Sequence, residues 1–295
     1  MGGDGGKYRG IPMTRADIRE LPAAWPSCTL GGWGAAWIAG ACSPDHVIGA
    51  LTASAAEHVI DDHTDETAHT GVLGLLALIR GADEMIVRLP GAGDPAGLPP
   101  APATTAAFAA GEVLVVGDAV ARSGGSGPLA LIPSVVGSTP LSGIDDLVCR
   151  WAVYRYPQPL DVGALGSGGP SAGDLEYELR QSVRDAAELF AGLGGGARAA
   201  AVGDLRARLA ALTLRHQVPL PPAAHDDARA ARLVDSAARI EAIVDLARAQ
   251  SVAIGETAGH LDAVDTEFRR LAGLARTARA AAVNATIAEL LRSSR

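Results

Sequence analysis

Lysine is almost absent from this 295-residue chain: Lys7 is the only one, and aromatic residues make up just 4%. No G-x-x-x-x-G-K-[ST] phosphate loop occurs, and no G-x-S-x-G nucleophile elbow. No apolar run approaches the roughly 18 uninterrupted residues of a membrane helix; the best stretch, Trp33 to Cys42, is short and broken by glycine. A basic start, apolar core and cleavage site of the signal-peptide kind are also missing from the first residues. The expectation is a cytoplasmic protein with no membrane contact. The three cysteines, Cys28, Cys42 and Cys149, are odd in number and widely spaced. That suits reduced, buried thiols better than a disulfide framework or a zinc site.

Basic charge is in deficit. The chain carries 33 acidic against 25 basic residues, a net charge of −8. Residues 1–160 hold 16 acids and 9 bases, and the remainder 17 and 16. Neither half has the basic balance of a nucleic-acid binder. With 48% hydrophobic and 20% charged residues the composition is that of a folded globular chain.

What is present centres on Glu112 to Tyr156. Val113 to Val116 and Leu129 to Ile132 are short apolar runs, and Val148 to Tyr156 is rich in aromatic and β-branched residues. Together with Met85 to Leu89 they predict about four strands, a small and mostly antiparallel sheet with one buried face. The small-residue stretch from Gly117 to Gly127 suits a connection. On the third run, Trp151, Val153 and Arg155 should face one way, and Arg150, Ala152, Tyr154 and Tyr156 the other.

Helices should flank this sheet. Ser43-Pro44-Asp45 reads as a helix start. Thr70 should open another that Gly81 stops, and Thr104 to Ala110 a short third. Thr14 can cap a helix near the N-terminus, after a Gly-rich, disordered Met1 to Pro12. After Pro157 to Gly173, a Gly/Pro-rich linker, the period becomes helical throughout. Asp174 can N-cap a helix carrying Leu175, Leu179 and Val183. The last helix carries Leu261, Val264, Phe268, Leu271, Ala275, Ala278 and Ala282 on one stripe. The expected architecture is therefore α+β: a disordered tail (1–12), an α+β domain (13–160), a linker (161–173) and a helical bundle (174–295).

Candidate chemistry is sparse. Residues 57–69 gather three histidines and five acids, with His58, Asp61, Asp62, His63 and His69 the possible metal ligands and Asp65 beside them. The histidine spacing is not the i, i+4 pairing that puts two imidazoles on one helical face; a solvated helix end and loop is the plainer explanation. Gly91-Ala92-Gly93-Asp94-Pro95-Ala96 matches a dinucleotide fingerprint formally, but Pro95, Pro99, Pro100 and Pro102 prevent the helix that would face a pyrophosphate. It reads as a loop. Trp33 and Trp37, four apart on one helical face, can pack the core or form a ligand platform. Arg150, Tyr154 and Tyr156 can receive an anionic ligand or form a half-exposed sheet face. Three readings result. The first is a non-enzymatic regulatory or partner-binding protein without a cofactor, engaging another protein or a second copy. The second is a metal-dependent hydrolase at 57–69. The third is a small-molecule sensor with a pocket between the sheet and the tryptophan-bearing helices.

Overall fold

The computed structural model describes residues 24–64, 69–117, 127–137, 147–167, 169–193, 199–222, 228–254 and 258–294. Met1–Pro12, the helix start at Thr14, Asp65 and most of the Gly117–Gly127 connection lie outside these residues, as do the side chains of Leu261 and Val264.

Five strands form one mixed sheet: β1 (Glu57–Asp62), β2 (Glu84–Arg88), β3 (Val113–Gly117), β4 (Leu129–Gly137) and β5 (Leu147–Arg155). Their spatial order is β1-β5-β4-β3-β2. Three neighbouring pairs are antiparallel, and β1 lies parallel to β5. The sequence signal missed β1: its histidine and acids hide a strand at the edge of the sheet, where polar side chains can reach water.

Val113-Leu114-Val115-Val116 shows why the central strands are apolar without alternation. Leu114 and Val116 join the larger core, while Val113 and Val115 join a second, smaller one on the opposite face. Both faces are covered, which corrects the expectation of one buried face. β5 alternates as expected, with Trp151 and Val153 in the larger core and Tyr154 and Tyr156 against the smaller. Pro133 is tolerated in β4 because β3 pairs only with Leu129–Leu131 and ends before it.

The smaller core is closed by α4 (Pro102–Ala110) and α5 (Val162–Ser167). The segment expected to be a plain linker thus carries a short helix, anchored by Val162 at 2% exposure. On the other face lie α1 (Pro26–Ile38), α2 (Pro44–Leu51) and α3 (Gly71–Ile79). Four longer helices follow: α6 (Ala172–Leu193), α7 (Ala199–His216), α8 (Ala228–Ile254) and α9 (Ala258–Ser293). The N-cap of α6 is Ser171, not Asp174. The Asp174 amide donates to Ser171 Oγ (3.2 Å), and that hydroxyl donates to the Asp174 carboxylate (2.6 Å), so the serine side chain satisfies one of the free amides of the first turn.

Helix α1 is the hub. Its sequence PSCTLGGWGAAWI is a poor helix former, yet Ser27 to Gly32 and Gly34 to Ala36 are all buried. It is wedged between the sheet and α9. A Cβ on Gly31 would stand 2.9 Å from Ile287 on α9 and 3.2 Å from Leu114 and Val87 on the sheet. Only a residue without a side chain allows so close an approach. The larger core consequently runs without a break from Trp151 through Leu30 to Ile287, Phe268 and Leu233. Phe268 and Leu271 sit within it at 3% and 1% exposure, as their stripe predicts.

Candidate functional site

The edge strand β2 packs against α9 and is hydrogen-bonded to it by the Asn284 side chain. Asn284 accepts a hydrogen bond from the Val87 amide (2.7 Å) and donates one to the Val87 carbonyl (3.0 Å). Beside this contact runs a groove of about 970 Å³. Its floor is β2, one wall is the 91–97 loop with α5, and the other is α9 from Arg276 to Arg292. Much of the wall on α9 is alanine, Ala280, Ala281, Ala285 and Ala288, with arginines at either end. Arg88, Asp94 and Arg276 stand at one end. The 91–97 loop holds its shape by paired bonds between Gly91 and Asp94 and by the Asp94 carboxylate accepting from the Ala96 amide. It is a loop, as its prolines require.

Behind α1 lies a second polar feature, mostly buried, with Asp245 at its solvent side. Arg279 is fully buried, with its guanidinium 4.5 Å from the centre of the Trp25 ring. It contacts Glu241 at 2.5 Å and donates to the His216 carbonyl at 3.1 Å. His216 in turn reaches Asp245 at 2.8 Å and Glu241 at 3.2 Å. Burial would depress the His216 pKa, but hydrogen bonds and charge from Asp245 and Glu241 outweigh it and raise the imidazole above its ordinary 6.5. Burial would raise Glu241 and Asp245; Arg279 and His216 for the first, and His216 for the second, hold both below the ordinary carboxylate values. The cluster is therefore a set of mutually neutralising charges at the junction of α1, α7, α8 and α9.

Near it, Glu112 caps α1 from the sheet. One carboxylate oxygen accepts from the Ser27 amide (2.8 Å) and the Ser27 hydroxyl (2.5 Å), where the helix dipole favours negative charge. Burial nevertheless pushes its carboxyl up to about 8, against the pull of Ser27 and Arg279. Glu112 also borders a small cavity of about 310 Å³ shared with Arg215 and Ser134.

The residues singled out by sequence are not gathered in either place. His58 is buried and its ring is committed: Nδ1 accepts from the Trp151 indole (3.0 Å), and Nε2 faces the Leu51 carbonyl (3.2 Å), which requires a proton there. No lone pair remains for a metal. The strand pleat sends Asp61 and His63 to the opposite side from His58 and Asp62. Exposed His63 stacks on Tyr154 at 4.4 Å and lies 3.6 Å from Asp61. Asp62 accepts from the Thr64 amide and hydroxyl (2.8 and 2.7 Å), while His69 lies half-buried beyond residues 65–68. Among the described residues no three His, Cys, Asp or Glu side chains are placed to hold a metal ion.

Trp33 donates to the Pro219 carbonyl (2.7 Å), tying α1 to the segment after α7, and Trp37 lies under Arg80 at 5.8 Å. Both are partly buried and pack against the larger core. Arg150 is exposed on β5, and Tyr156 is buried with its hydroxyl 3.2 Å from Thr104. Cys28 and Cys149 are buried and Cys42 partly so, all free thiols.

Sequence reasoning missed Arg279, Glu241, Asn284 and the groove itself. Arg279 and Glu241 each interrupt an apolar helical stripe, Ala275–Ala282 and Ala237–Val244, and a charge on a core stripe was the available signal. Residues 27–163 match the description "Rv1486c-like protein, N-terminal domain", and residues 173–280 match "Rv1486c-like protein, C-terminal domain". The chain belongs to the Rv1486c-like family. Relatives include the uncharacterized protein Rv1486c of Mycobacterium tuberculosis, 30% identical over 89% of this chain and 97% of its own length. The uncharacterized protein ML1804 of Mycobacterium leprae is 27% identical over the same shares. No solved structure matches this Rv1486c-like chain. The first family match ends within α5, the second begins just after it, and together they span the whole sheet and the His216–Arg279 cluster. Among the described residues no helix is long and apolar enough to cross a membrane.

Proposed function

We propose that this member of the Rv1486c-like family is a non-enzymatic, cytoplasmic regulatory protein that engages a protein partner through the groove beside β2. The observation that carries this reading is the groove: about 970 Å³, with apolar residues of β2 and α9 in its lining and charged ones, Arg88, Asp94, Arg276 and Arg292, toward its ends. Those are features of surfaces that receive a segment of another chain. The most strongly perturbed acid, Glu112, is committed to capping α1, and the other perturbed groups, His216, Glu241 and Asp245, to neutralising one another and Arg279. Their chemistry is that of a joint.

A random dodecapeptide library displayed against the purified full-length chain tests the reading. Enriched peptides should bind the wild type and weaken at least tenfold on Ala285→Arg, which fills the groove from an exposed position of α9. Peptides that ignore Ala285→Arg would place the binding surface elsewhere.

A further inference from the structure

The charged end of the groove holds two guanidiniums whose bonding is incomplete. Arg88 stands at the end of β2, half-buried, and its Nε is shielded from solvent with no hydrogen-bond partner. Asp94 acts on it by charge, but one Asp94 oxygen already accepts from the Ala96 amide. Arg276 stands opposite on α9. Its guanidinium lies close against Gly91: a Cβ there would collide with Nη2 and stand 2.7 Å from Cζ. Gly91 therefore makes room for this arginine, and no hydrogen bond or ion pair to Arg276 exists among the described residues. Elsewhere the described arginines of α9 are engaged: Arg269 with Asp265, Arg270 with Glu267, Arg279 with Glu241, and Arg292 with the Ala288 carbonyl.

We propose that the Arg88–Arg276 end of the groove recognises an acidic side chain, so that the occupant is an extended acidic segment of a partner protein whose apolar residues lie along β2 and the alanines of α9. Resting on the groove reading above, this adds the chemistry of what binds. A guanidinium presents its N–H donors in a planar fork that a carboxylate matches with two parallel bonds. Two such forks at one end of a channel that is apolar in the middle, with Asp83, Glu84 and Arg292 also among its lining, fix the orientation of the bound segment. The chain as a whole carries −8, so it exerts no long-range pull on an acidic ligand; recognition is local. Raising salt from low to moderate ionic strength then screens the overall repulsion while leaving partly enclosed pairs largely intact.

The test uses the same library with three variants of the full chain, each checked by thermal melting for an unchanged fold. Peptides enriched on the wild type should carry an Asp or Glu at one fixed position. Replacing that residue by its amide should cost at least tenfold in affinity on the wild type and little on Arg276→Gln. Selection on Arg276→Glu should switch the fixed position to Lys or Arg. Enriched peptides that weaken on Ala285→Arg but bind Arg276→Gln as they bind wild type would keep the groove and overturn the acidic partner. Peptides indifferent to Ala285→Arg, or no enrichment at all, would remove the groove reading and this inference with it. Inorganic phosphate that binds as tightly as the enriched peptides and displaces them would also overturn it, since the site would then be reading a free anion.

Discussion

Two regions of this molecule are rich in histidine and acid, and they share little else. The first, Glu57 to His63, is dense in sequence and dispersed in space. The strand pleat turns His58 and Asp62 one way and Asp61 and His63 the other, and only His58 goes into the core. The second, His216, Glu241, Asp245 and Arg279 with Trp25, is dispersed in sequence and dense in space. Its members come from α7, α8, α9 and the residue before α1. The difference shows how a charge becomes costly or consequential. Apart from His58, the first set keeps contact with water, whereas members of the second have largely exchanged water for one another, and each depends on the rest.

Removing one partner from the buried set should have the largest effect. Glu241→Ala leaves Arg279 enclosed without its counter-charge and should destabilise by roughly 3–5 kcal/mol in denaturant unfolding. Glu241→Ala as stable as wild type would mean that the cluster is open to water and that the two regions do not differ in this way.

Glu112 sharpens the contrast through pH. Its folded pKa, about 8, stands above the ordinary 4.5. A raised folded value means that the folded state holds the proton more tightly. This contribution to stability is complete below pH 4.5 and is lost as pH climbs to 8. Glu112→Gln keeps an acceptor for Ser27 and carries no charge. The variant should match wild type near pH 4 and exceed it by roughly 2–4 kcal/mol near pH 8.5, since a tenfold difference in proton affinity between the folded and unfolded chain is worth about 1.4 kcal/mol. Parallel stability curves across that range would show Glu112 ionised and solvated. His216, also raised, loses its contribution as pH rises from 6.5 through its folded value. Glu241 and Asp245, both depressed, lose theirs as pH falls below 4.5 and 3.8.

Within the first region the inward histidine should behave unlike its neighbours. Trp151→Phe deletes the donor to His58 Nδ1 and should cost about 1–3 kcal/mol, from the orphaned buried acceptor and the lost ring volume. His63→Ala removes two exposed contacts, the stacking on Tyr154 and the approach to Asp61, and should stay within about 0.5 kcal/mol. If His63→Ala proved as costly as Trp151→Phe, the two ends of β1 would be equally structural.

The strands β2 to β5 were legible because buried strands are short, apolar and bounded by turn residues. Most of the helices were legible because their apolar period is plain, as at Leu175, Leu179, Phe268 and Leu271. Two elements escaped. β1 is an edge strand, and its polar side chains mask the period. α5 is a single short helix in a Gly/Pro-rich stretch, too short to show an apolar period. The bounds of α1 were marked only by Trp33 and Trp37, because its three glycines and mostly buried surface leave neither propensity nor amphipathicity to read. The candidate site was the least legible part. A groove exists only once α9 lies beside β2, and that placement depends on Gly31 and on one amide side chain, Asn284. No local pattern announces either.

That amide has a consequence beyond joining two halves. A strand at the rim of a sheet offers bare amides and carbonyls to any other chain that can extend itself alongside, and this is how many sheet proteins stick together into insoluble assemblies. β2, reading EMIVR, is short, mostly apolar and otherwise suited to such pairing. By closing on both backbone groups of Val87, Asn284 acts as a single-residue substitute for a sixth strand. The C-terminal helices thereby chaperone the sheet from within the same chain. Shortened before α9, the sheet should express as a species that clumps through β2, and Asn284→Ala should take the intact chain one step in the same direction.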